Sequence, residues 1–220
     1  RAYDDAIEEP LSNWTKLTDQ LGGDVAAVKP KVLAIFDSLR NYLWTAAGKP
    51  EPSAEEAQKM LSPIINLLGE INNFKETKRK TPQWNHLNSI AEALPALGWL
   101  TVKKTPAPHV KEYIEAAQFY INPILREFKD TDPRHVEWTK AWKAIFEEMQ
   151  KFVRQVHTTG LVWNSAPGSV PDASSSAPVA APAPKAPGGP GGPPPPPPPP
   201  PADFFANIAP PPVDTDKSNR

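Results

Sequence analysis

Cysteine is absent from this sequence of 220 residues. Its absence excludes disulfide bonds, thiolate zinc sites and a cysteine nucleophile, and it fits a reducing compartment. Long apolar runs are also missing, since no stretch approaches the roughly 20 residues that span a bilayer. We therefore expect no insertion into a membrane.

Charge of one sign is not in excess either, because the formal net charge is −1. A protein that binds nucleic acid mainly by neutralising phosphates needs surplus cations, so we expect no nucleic-acid partner. The four histidines show no metal spacing, and Gly188–Gly192 neither follows a strand nor opens a helix. No motif places a nucleophile beside a histidine. These absences predict a protein that is not an enzyme and holds no metal or cofactor.

The N-terminus carries no visible signal peptide, because Arg1 is followed by acidic residues and not by an apolar run. Arg1 is not a start methionine, so we expect the chain to be a fragment. The expected location is cytoplasmic.

Proline is distributed very unevenly along the chain. Of the 30 prolines, 19 follow Trp163, whereas all seven tryptophans lie at or before it. The first part therefore has enough large apolar side chains to bury a core, and the last part does not. This contrast predicts a folded domain over residues 1–163 and a disordered proline-rich tail over residues 164–220.

Apolar residues of the first part recur every three or four positions, which is the spacing of helices and not of strands. The clearest stripe contains Trp138 and Trp142, which we assign to the core. The pattern predicts an all-α fold, an antiparallel up-and-down six-helix bundle, because the loops are short. The expected helices lie at about 10–22, 24–47, 53–78, 82–96, 107–129 and 133–158.

Capping residues agree with this division into helices. Ser53 followed by Glu56 reads as a capping box, and an N-cap followed by a first-turn proline is expected at two further helices. The N-caps followed by a first-turn proline are Thr81-Pro82 and Asp132-Pro133. Glycines mark two helix ends, Gly22-Gly23 after the first helix and Gly160 after the last.

Five further prolines bear on where the predicted helices begin, bend or end. Pro10 suits the first turn of the opening helix, and Pro30 and Pro63 are expected near first turns. Pro95 predicts a helix end, and Pro123 predicts a kink.

The tail contains an uninterrupted run of nine prolines beside flexible glycines. Such a run forms a stiff polyproline II rod, which aromatic grooves bind at little entropic cost. No basic residue lies at the offset that SH3 domains read, and no PPxY or FPPPP motif is present, so profilin is the expected partner. The profilin-binding residues are Pro193, Pro194, Pro195, Pro196, Pro197, Pro198, Pro199, Pro200 and Pro201.

Several segments resemble the N-terminal half of cyclase-associated protein. The most specific is His157-Thr158-Thr159-Gly160-Leu161-Val162-Trp163, just before the proline-rich region. The others are Trp84-Asn85-His86-Leu87, Ala96-Leu97-Gly98-Trp99, His109-Val110-Lys111-Glu112, Phe119-Tyr120, Ile124–Lys129 and His135-Val136-Glu137-Trp138. The resemblance covers about residues 2–201, in the same order and with the same layout.

The resemblance implies a function in the actin cytoskeleton and a six-helix fold. Members of the family bind actin together with ADF/cofilin through the helical domain and promote filament disassembly and monomer recycling. Their polyproline segment recruits profilin, and a segment upstream of the domain binds adenylyl cyclase and oligomerises the protein. The alternative is a signalling adaptor that couples adenylyl cyclase or SH3 proteins to the cytoskeleton. An actin-rich cortical location and homo-oligomerisation follow as expectations.

A basic stretch near the end of the third predicted helix is the candidate contact with actin and cofilin. Actin has an acidic surface, so exposed cations there would attract it. The alternative is that these cations only stabilise the helix dipole, and that His86 is a buried histidine. The candidate residues are Lys75, Lys78, Arg79, Lys80, Asn85 and His86.

Overall fold

The computed structural model describes residues 1–164, which form six α-helices and one 3-10 helix, with no strand among them. The elements are α1 (Ala2–Leu21), α2 (Gly23–Gly48), α3 (Ala54–Glu76), α4 (Trp84–Ala93), the 3-10 helix (Leu94–Thr101), α5 (Ala107–Phe128) and α6 (Pro133–Val156). The predicted all-α class with six helices is confirmed. No helix within these residues is long and apolar enough to cross a membrane.

The helices form a closed ring, because each packs on the next along the chain and α6 returns to α1. The contacts join the start of one helix to the end of its neighbour, so these pairs are antiparallel. They are Asp4–Arg40 and Asp19–Lys29 for α1 and α2, Ala107–Gln150 and Phe128–His135 for α5 and α6, and Tyr3–Phe152 and Thr18–Trp138 for α1 and α6.

The core is rich in tryptophan, and the assignment of Trp138 and Trp142 to it is confirmed by their complete burial. Trp14 of α1 packs against both, with its ring centroid 5.0 Å from that of Trp142 and 6.2 Å from that of Trp138. The indole N–H of Trp138 donates to Thr18 Oγ1 at 2.9 Å, and that of Trp142 donates to the Ser89 carbonyl at 3.0 Å. Helices α1, α4 and α6 are therefore joined by both packing and polar contacts.

The first helix begins earlier than the sequence predicted. It starts at Ala2, so Pro10 lies inside α1 and not in its first turn. Contacts with other helices hold the turns before the proline: Ile7 is buried, and the Tyr3 hydroxyl donates to the Phe36 carbonyl at 3.1 Å. This tertiary packing offsets the hydrogen bond that a proline removes from a helix interior.

Two more prolines occupy helix interiors for the same reason. Pro30 and Pro63 lie well inside α2 and α3, so their expected first-turn placement is wrong. Pro95 follows the last residue of α4 by two positions and lies in the first turn of the 3-10 helix, which confirms the predicted helix end. Pro123 lies within α5, which continues on both sides of it.

The capping predictions have mixed outcomes. The capping box of Ser53 and Glu56 is present, Asp132 accepts a hydrogen bond from the Arg134 N–H, and Gly22 is the C-cap of α1. Thr81 is not an N-cap, because α4 begins at Trp84 with Gln83 before it. Gly160 lies beyond the C-cap of α6, which is His157.

Gly160 serves a close backbone approach instead. Its φ is 108°, and a Cβ there would lie 3.0 Å from the Val102 carbonyl oxygen. The chain after α6 therefore packs against the segment before α5. The predicted tail, including Pro193–Pro201, lies outside the described residues apart from Asn164.

Candidate interaction site

The turn between α3 and α4, together with the helix ends that flank it, forms what we call the basic corner (residues 75–86). All six predicted contact residues belong to it, but they differ in exposure. Arg79 and Lys80 are exposed, Lys78 and Asn85 are half-buried, and Lys75 and His86 are 5% and 0% exposed. Only part of the predicted set is therefore open to a partner.

Lys75 is turned into the protein. Its ammonium lies 3.2 Å from Glu76 Oε1 and 5.7 Å above the ring centre of Trp84, in the range of a cation–π contact. An ammonium that is largely removed from water needs such partners. Lys75 therefore joins α3 to the start of α4.

Two of the remaining cations are held by carboxylates. Lys78 Nζ lies 3.0 Å from Asp24 Oδ1 at the start of α2, and Arg79 Nε donates to Glu76 Oε2 at 2.6 Å. Partial burial opposes ionisation of Glu76, yet the hydrogen bonds from Arg79 and Lys75 hold the pKa of its carboxyl below the ordinary value. Lys80 forms no ion pair with any described residue.

Gln83 fixes the basic corner to the junction of α1 and α2. Its Oε1 accepts from the Val25 N–H at 2.9 Å, and its Nε2 donates to the Gly22 carbonyl at 3.2 Å. This side chain satisfies a first-turn N–H of α2, which has no local side-chain cap. A Cβ at Gly23 would lie 2.9 Å from Gln83 Oε1, so glycine leaves room for the contact. Sequence reasoning missed Gln83, because nothing local marks a cap 58 positions away.

His86 belongs to a buried aromatic cluster below the turn. Its Nε2 lies 2.8 Å from His135 Nδ1, and His135 stacks on Phe128 with ring centres 3.8 Å apart. Burial, followed by the neighbouring His135, lowers the pKa of His86 to about 3. His86 is therefore neutral at physiological pH and offers no positive charge to a partner.

The protonation pattern of this histidine pair follows from its neighbours. His135 Nε2 lies 3.8 Å from Asp132, which favours a proton on that nitrogen. His135 Nδ1 then accepts the proton of His86 Nε2–H. His86 Nδ1, which has no partner among the described residues, is left as a bare acceptor and not as a costlier buried N–H.

The opposite end of the bundle, which we call the aromatic end, is built from Tyr42, Trp99, His157 and Trp163. Trp163 meets Tyr42 edge to face at 5.7 Å, and Trp99 lies 5.1 Å from His157. Burial lowers the pKa of His157 to about 4. Asn164 then fixes the chain to α2, since its N–H donates to the Ala46 carbonyl at 3.0 Å.

Two large exposed side chains were not singled out from the sequence. Trp44 on α2 is 72% exposed and Phe119 on α5 is 71% exposed. The helical period puts both residues on outer faces, but only the structure shows how little covers them. Within residues 1–164, no group of three or more His, Cys, Asp and Glu side chains could hold a metal ion. The basic corner presents positive charge to the solvent at Arg79 and Lys80.

Comparison with known families gives one consistent result. The family described as "CAP, N-terminal domain" matches residues 3–161. Human adenylyl cyclase-associated protein 1 is 36% identical over 164 residues, which is 74% of this chain and 34% of the relative. Human adenylyl cyclase-associated protein 2 is 36% identical over 183 residues, or 83% of this chain and 38% of the relative. The chain thus spans about a third of the length of the curated relatives it matches.

Solved structures agree with the sequence comparisons. The N-terminal domain of the adenylyl cyclase-associated protein from Dictyostelium discoideum has a TM-score of 0.71 and 28% identity, covering 74% of this chain and 92% of that one. A second structure of the N-terminal domain of CAP, described as indicating variable oligomerisation, has the same TM-score and identity, with 88% of that chain covered.

Proposed function

This chain belongs to the family of CAP N-terminal domains, and from that membership we propose that it regulates the turnover of actin filaments. In this proposal the helical bundle binds actin together with ADF/cofilin and promotes filament disassembly and monomer recycling. The observation that carries the proposal is the basic corner, where exposed cations stand on a rigidly held turn. Actin offers an acidic surface, so the charges are complementary.

The proposed contact surface is narrower than the set predicted from the sequence. It consists of Arg79 and Lys80 at its centre, with Lys78 and Asn85 beside them. Lys75 and His86 lie beneath this surface and act by positioning the turn, because their side chains are buried. Pairing with Asp24 and Glu76 keeps Lys78 and Arg79 in fixed places, which reduces the entropy lost on binding.

Charge reversal tests this surface. We expect Arg79→Glu with Lys80→Glu to lower, at least severalfold, the stimulation of single-filament depolymerisation in the presence of cofilin. The matched control is Lys103→Glu with Lys104→Glu, an adjacent pair of exposed cations before α5 at the aromatic end. Equal activity of the two double variants and the unaltered chain would refute the role of the basic corner.

The tail has a separate role in the proposal, namely the recruitment of profilin through Pro193–Pro201. A stiff proline run pays little entropy when it enters an aromatic groove. Calorimetric titration of profilin with the full chain should show saturable binding. Binding should disappear when Pro193–Pro201 are replaced by Gly and Ser, and its persistence would exclude the run as the site.

The second candidate is a signalling adaptor, favoured by the names of the relatives, which refer to association with adenylyl cyclase. A panel of SH3 domains that displaces profilin from the full chain would support this function over the first. Self-association of this chain is also proposed, and sedimentation velocity would measure it. Under either function we propose a cytoplasmic location, at the actin-rich cortex.

A further inference from the structure

Thr81 does not cap a helix in the structure, and it lies in the turn of the basic corner. The side chain is half-buried, and Oγ1 donates to the Lys78 carbonyl at 3.0 Å. Lys80 precedes it and Pro82 follows it, in a turn that is not helical between residues 77 and 83. Thr81 is therefore a hydroxyl beside a proline on an accessible turn.

The chain contains two other hydroxyl residues directly before proline, and they allow a comparison. Thr105-Pro106 lies in the loop before α5, where Thr105 is exposed and has a φ of 45°. Ser62-Pro63 lies inside α3, where the Ser62 hydroxyl donates to the Gln58 carbonyl at 3.1 Å. Two of the three hydroxyls thus stand outside helices, and the third is held within a helix.

We propose that Thr81 and Thr105 are phosphorylation sites for a proline-directed serine/threonine protein kinase, and that phosphate on Thr81 switches off the basic corner. In the reaction, threonine Oγ1 forms a bond to the γ-phosphorus of ATP, and the bond from that phosphorus to the β,γ-bridging oxygen breaks. The hydroxyl proton passes to the base of the kinase, and ADP leaves. The loss of binding at the basic corner rests on the proposed function, whereas phosphorylation of the two threonines does not depend on it.

Accessibility of the backbone supports the choice of these two threonines. A residue before proline is biased toward an extended conformation, which is the form a kinase cleft takes in. Extending the turn at Thr81 breaks the bonds from its N–H to the Lys78 carbonyl and from the Trp84 N–H to its carbonyl, both 3.1 Å long. Extending the segment at Ser62 would require the unfolding of α3 around a buried Leu61.

Charge explains the consequence at the basic corner. Phosphate adds about 1.5 to 2 negative charges at neutral pH, next to the three positive charges of Lys78, Arg79 and Lys80. It competes with Asp24 for Lys78 and with Glu76 for Arg79. The first turn of α4 contains no acidic residue, so the phosphate meets no like charge there. The corner would therefore keep its fold and lose most of its attraction for an acidic partner.

The modification is tested on the full chain with MgATP and a purified proline-directed kinase, with phosphopeptides located by mass spectrometry. Phosphate is expected on Thr105 and Thr81 and not on Ser62. Synthetic peptides that contain the three motifs are the controls, and all three should be modified. No phosphate on either threonine of the chain, with the peptides modified, would overturn the proposal, as would modification of Ser62 to the same extent.

The class of kinase is tested by Pro82→Ala. This change should reduce phosphate on Thr81 at least tenfold and leave Thr105 unchanged. A basophilic kinase would instead read the three cations before Thr81. If it modifies the chain faster than the proline-directed enzyme, and Pro82→Ala does not slow that reaction, the assignment to a proline-directed kinase is wrong.

The effect on function is read from two singly modified chains, phospho-Thr81 in a Thr105→Val background and phospho-Thr105 in a Thr81→Val background, each compared with the same variant before phosphorylation. Phosphate on Thr81 should lower the cofilin-dependent depolymerisation severalfold, and phosphate on Thr105 should leave it unchanged. Equal activity of both, while Arg79→Glu with Lys80→Glu shows its expected severalfold loss, overturns the switch alone. Full activity of that double variant overturns the role of the basic corner and with it the switch, but not the modification, and no stimulation by the unmodified chain overturns the proposed function.

Discussion

The two ends of the bundle are held together by different kinds of contact. At the basic corner, polar side chains reach between helices: Gln83 bonds to Gly22 and Val25, and Lys78 pairs with Asp24. At the aromatic end, ring contacts such as that of Trp163 with Tyr42 stand beside the hydrogen bonds of Asn164 to the end of α2. Hydrogen bonds and ion pairs are directional, so they fix the position of a charged turn. Apolar packing is not directional and only keeps two surfaces together. The candidate binding cations therefore stand on the turn that directed polar contacts hold in place.

Each end also contains a histidine withdrawn from water, completely for His86 and partly for His157. His86 bonds to His135, whereas His157 packs between Trp99 and Phe152 with no partner for Nδ1 among the described residues. Both have lowered pKa values because burial disfavours the charged ring. The two ends therefore differ in how they respond to acid.

The largest expected effect is the loss of a tryptophan from the core behind the basic corner. Trp138→Ala should lower the free energy of unfolding by about 3–5 kcal/mol, because it leaves a cavity and removes the partner of the Thr18 hydroxyl. Trp163→Ala should lower the free energy of unfolding distinctly less, because Trp163 at the aromatic end is only half-buried. Urea unfolding followed by circular dichroism measures both. Equal decreases in the free energy of unfolding for the two variants would contradict this difference between the two ends.

Acid should distinguish the buried His86 from the half-buried His157. Each is neutral when folded and takes up a proton near pH 6.5 when unfolded, so stability falls as pH drops below 6.5. The loss continues to about pH 3 for His86 and to about pH 4 for His157. Within its window each ring adds a slope approaching about 1.4 kcal/mol per pH unit.

Single replacements by phenylalanine isolate these contributions. Between pH 4 and 3, His86→Phe should have a flatter dependence of stability on pH than the unaltered chain, and His157→Phe should not. The carboxylates contribute equally to all three proteins and cancel in the comparison. A curve for His86→Phe that is parallel to the unaltered one in this interval would show that His86 is protonated in the folded state.

Glycine replacement probes the backbone contact at the aromatic end. Gly160→Ala should cost about 1–3 kcal/mol, because its φ of 108° is unfavourable for alanine and its Cβ would crowd the Val102 carbonyl. Gly69→Ala, inside α3 with open space around it, should instead stabilise the chain by about 0.5–1 kcal/mol. Thermal unfolding of the two variants should therefore shift in opposite directions.

The smallest effect concerns the cap that joins the basic corner to α2. Gln83→Ala should cost about 0.5–2 kcal/mol, as the loss of an N-cap does, and should speed hydrogen exchange at the Val25 amide. The exposed Gln155 on α6 is the matched control, and its replacement by alanine should change neither quantity. Unchanged exchange at Val25 in the Gln83 variant would mean that the cap does not hold in solution.

Much of the fold could be predicted because helical periodicity and local caps act within a few residues. The capping box at Ser53 and the N-cap at Asp132 involve groups two or three positions apart, so they are visible in the sequence. Pro10 misled the prediction, because the helix before it is held by contacts with α2 that lie more than 30 positions away. Thr81 followed by Pro82 has the sequence pattern of an N-cap, but α4 begins only at Trp84, so the N-cap position falls on Gln83.

The sequence by itself determined that the described part is helical, since its apolar stripes have the period of a helix, and it marked the stretch from Lys75 to His86 as the place of the cations. Tertiary structure alone decided which of those cations face the solvent. The contact of His86 with His135 and the pairing of Lys78 with Asp24 join helices that are distant along the chain. Side-chain exposure is a property of the packed neighbours, and local sequence does not contain it.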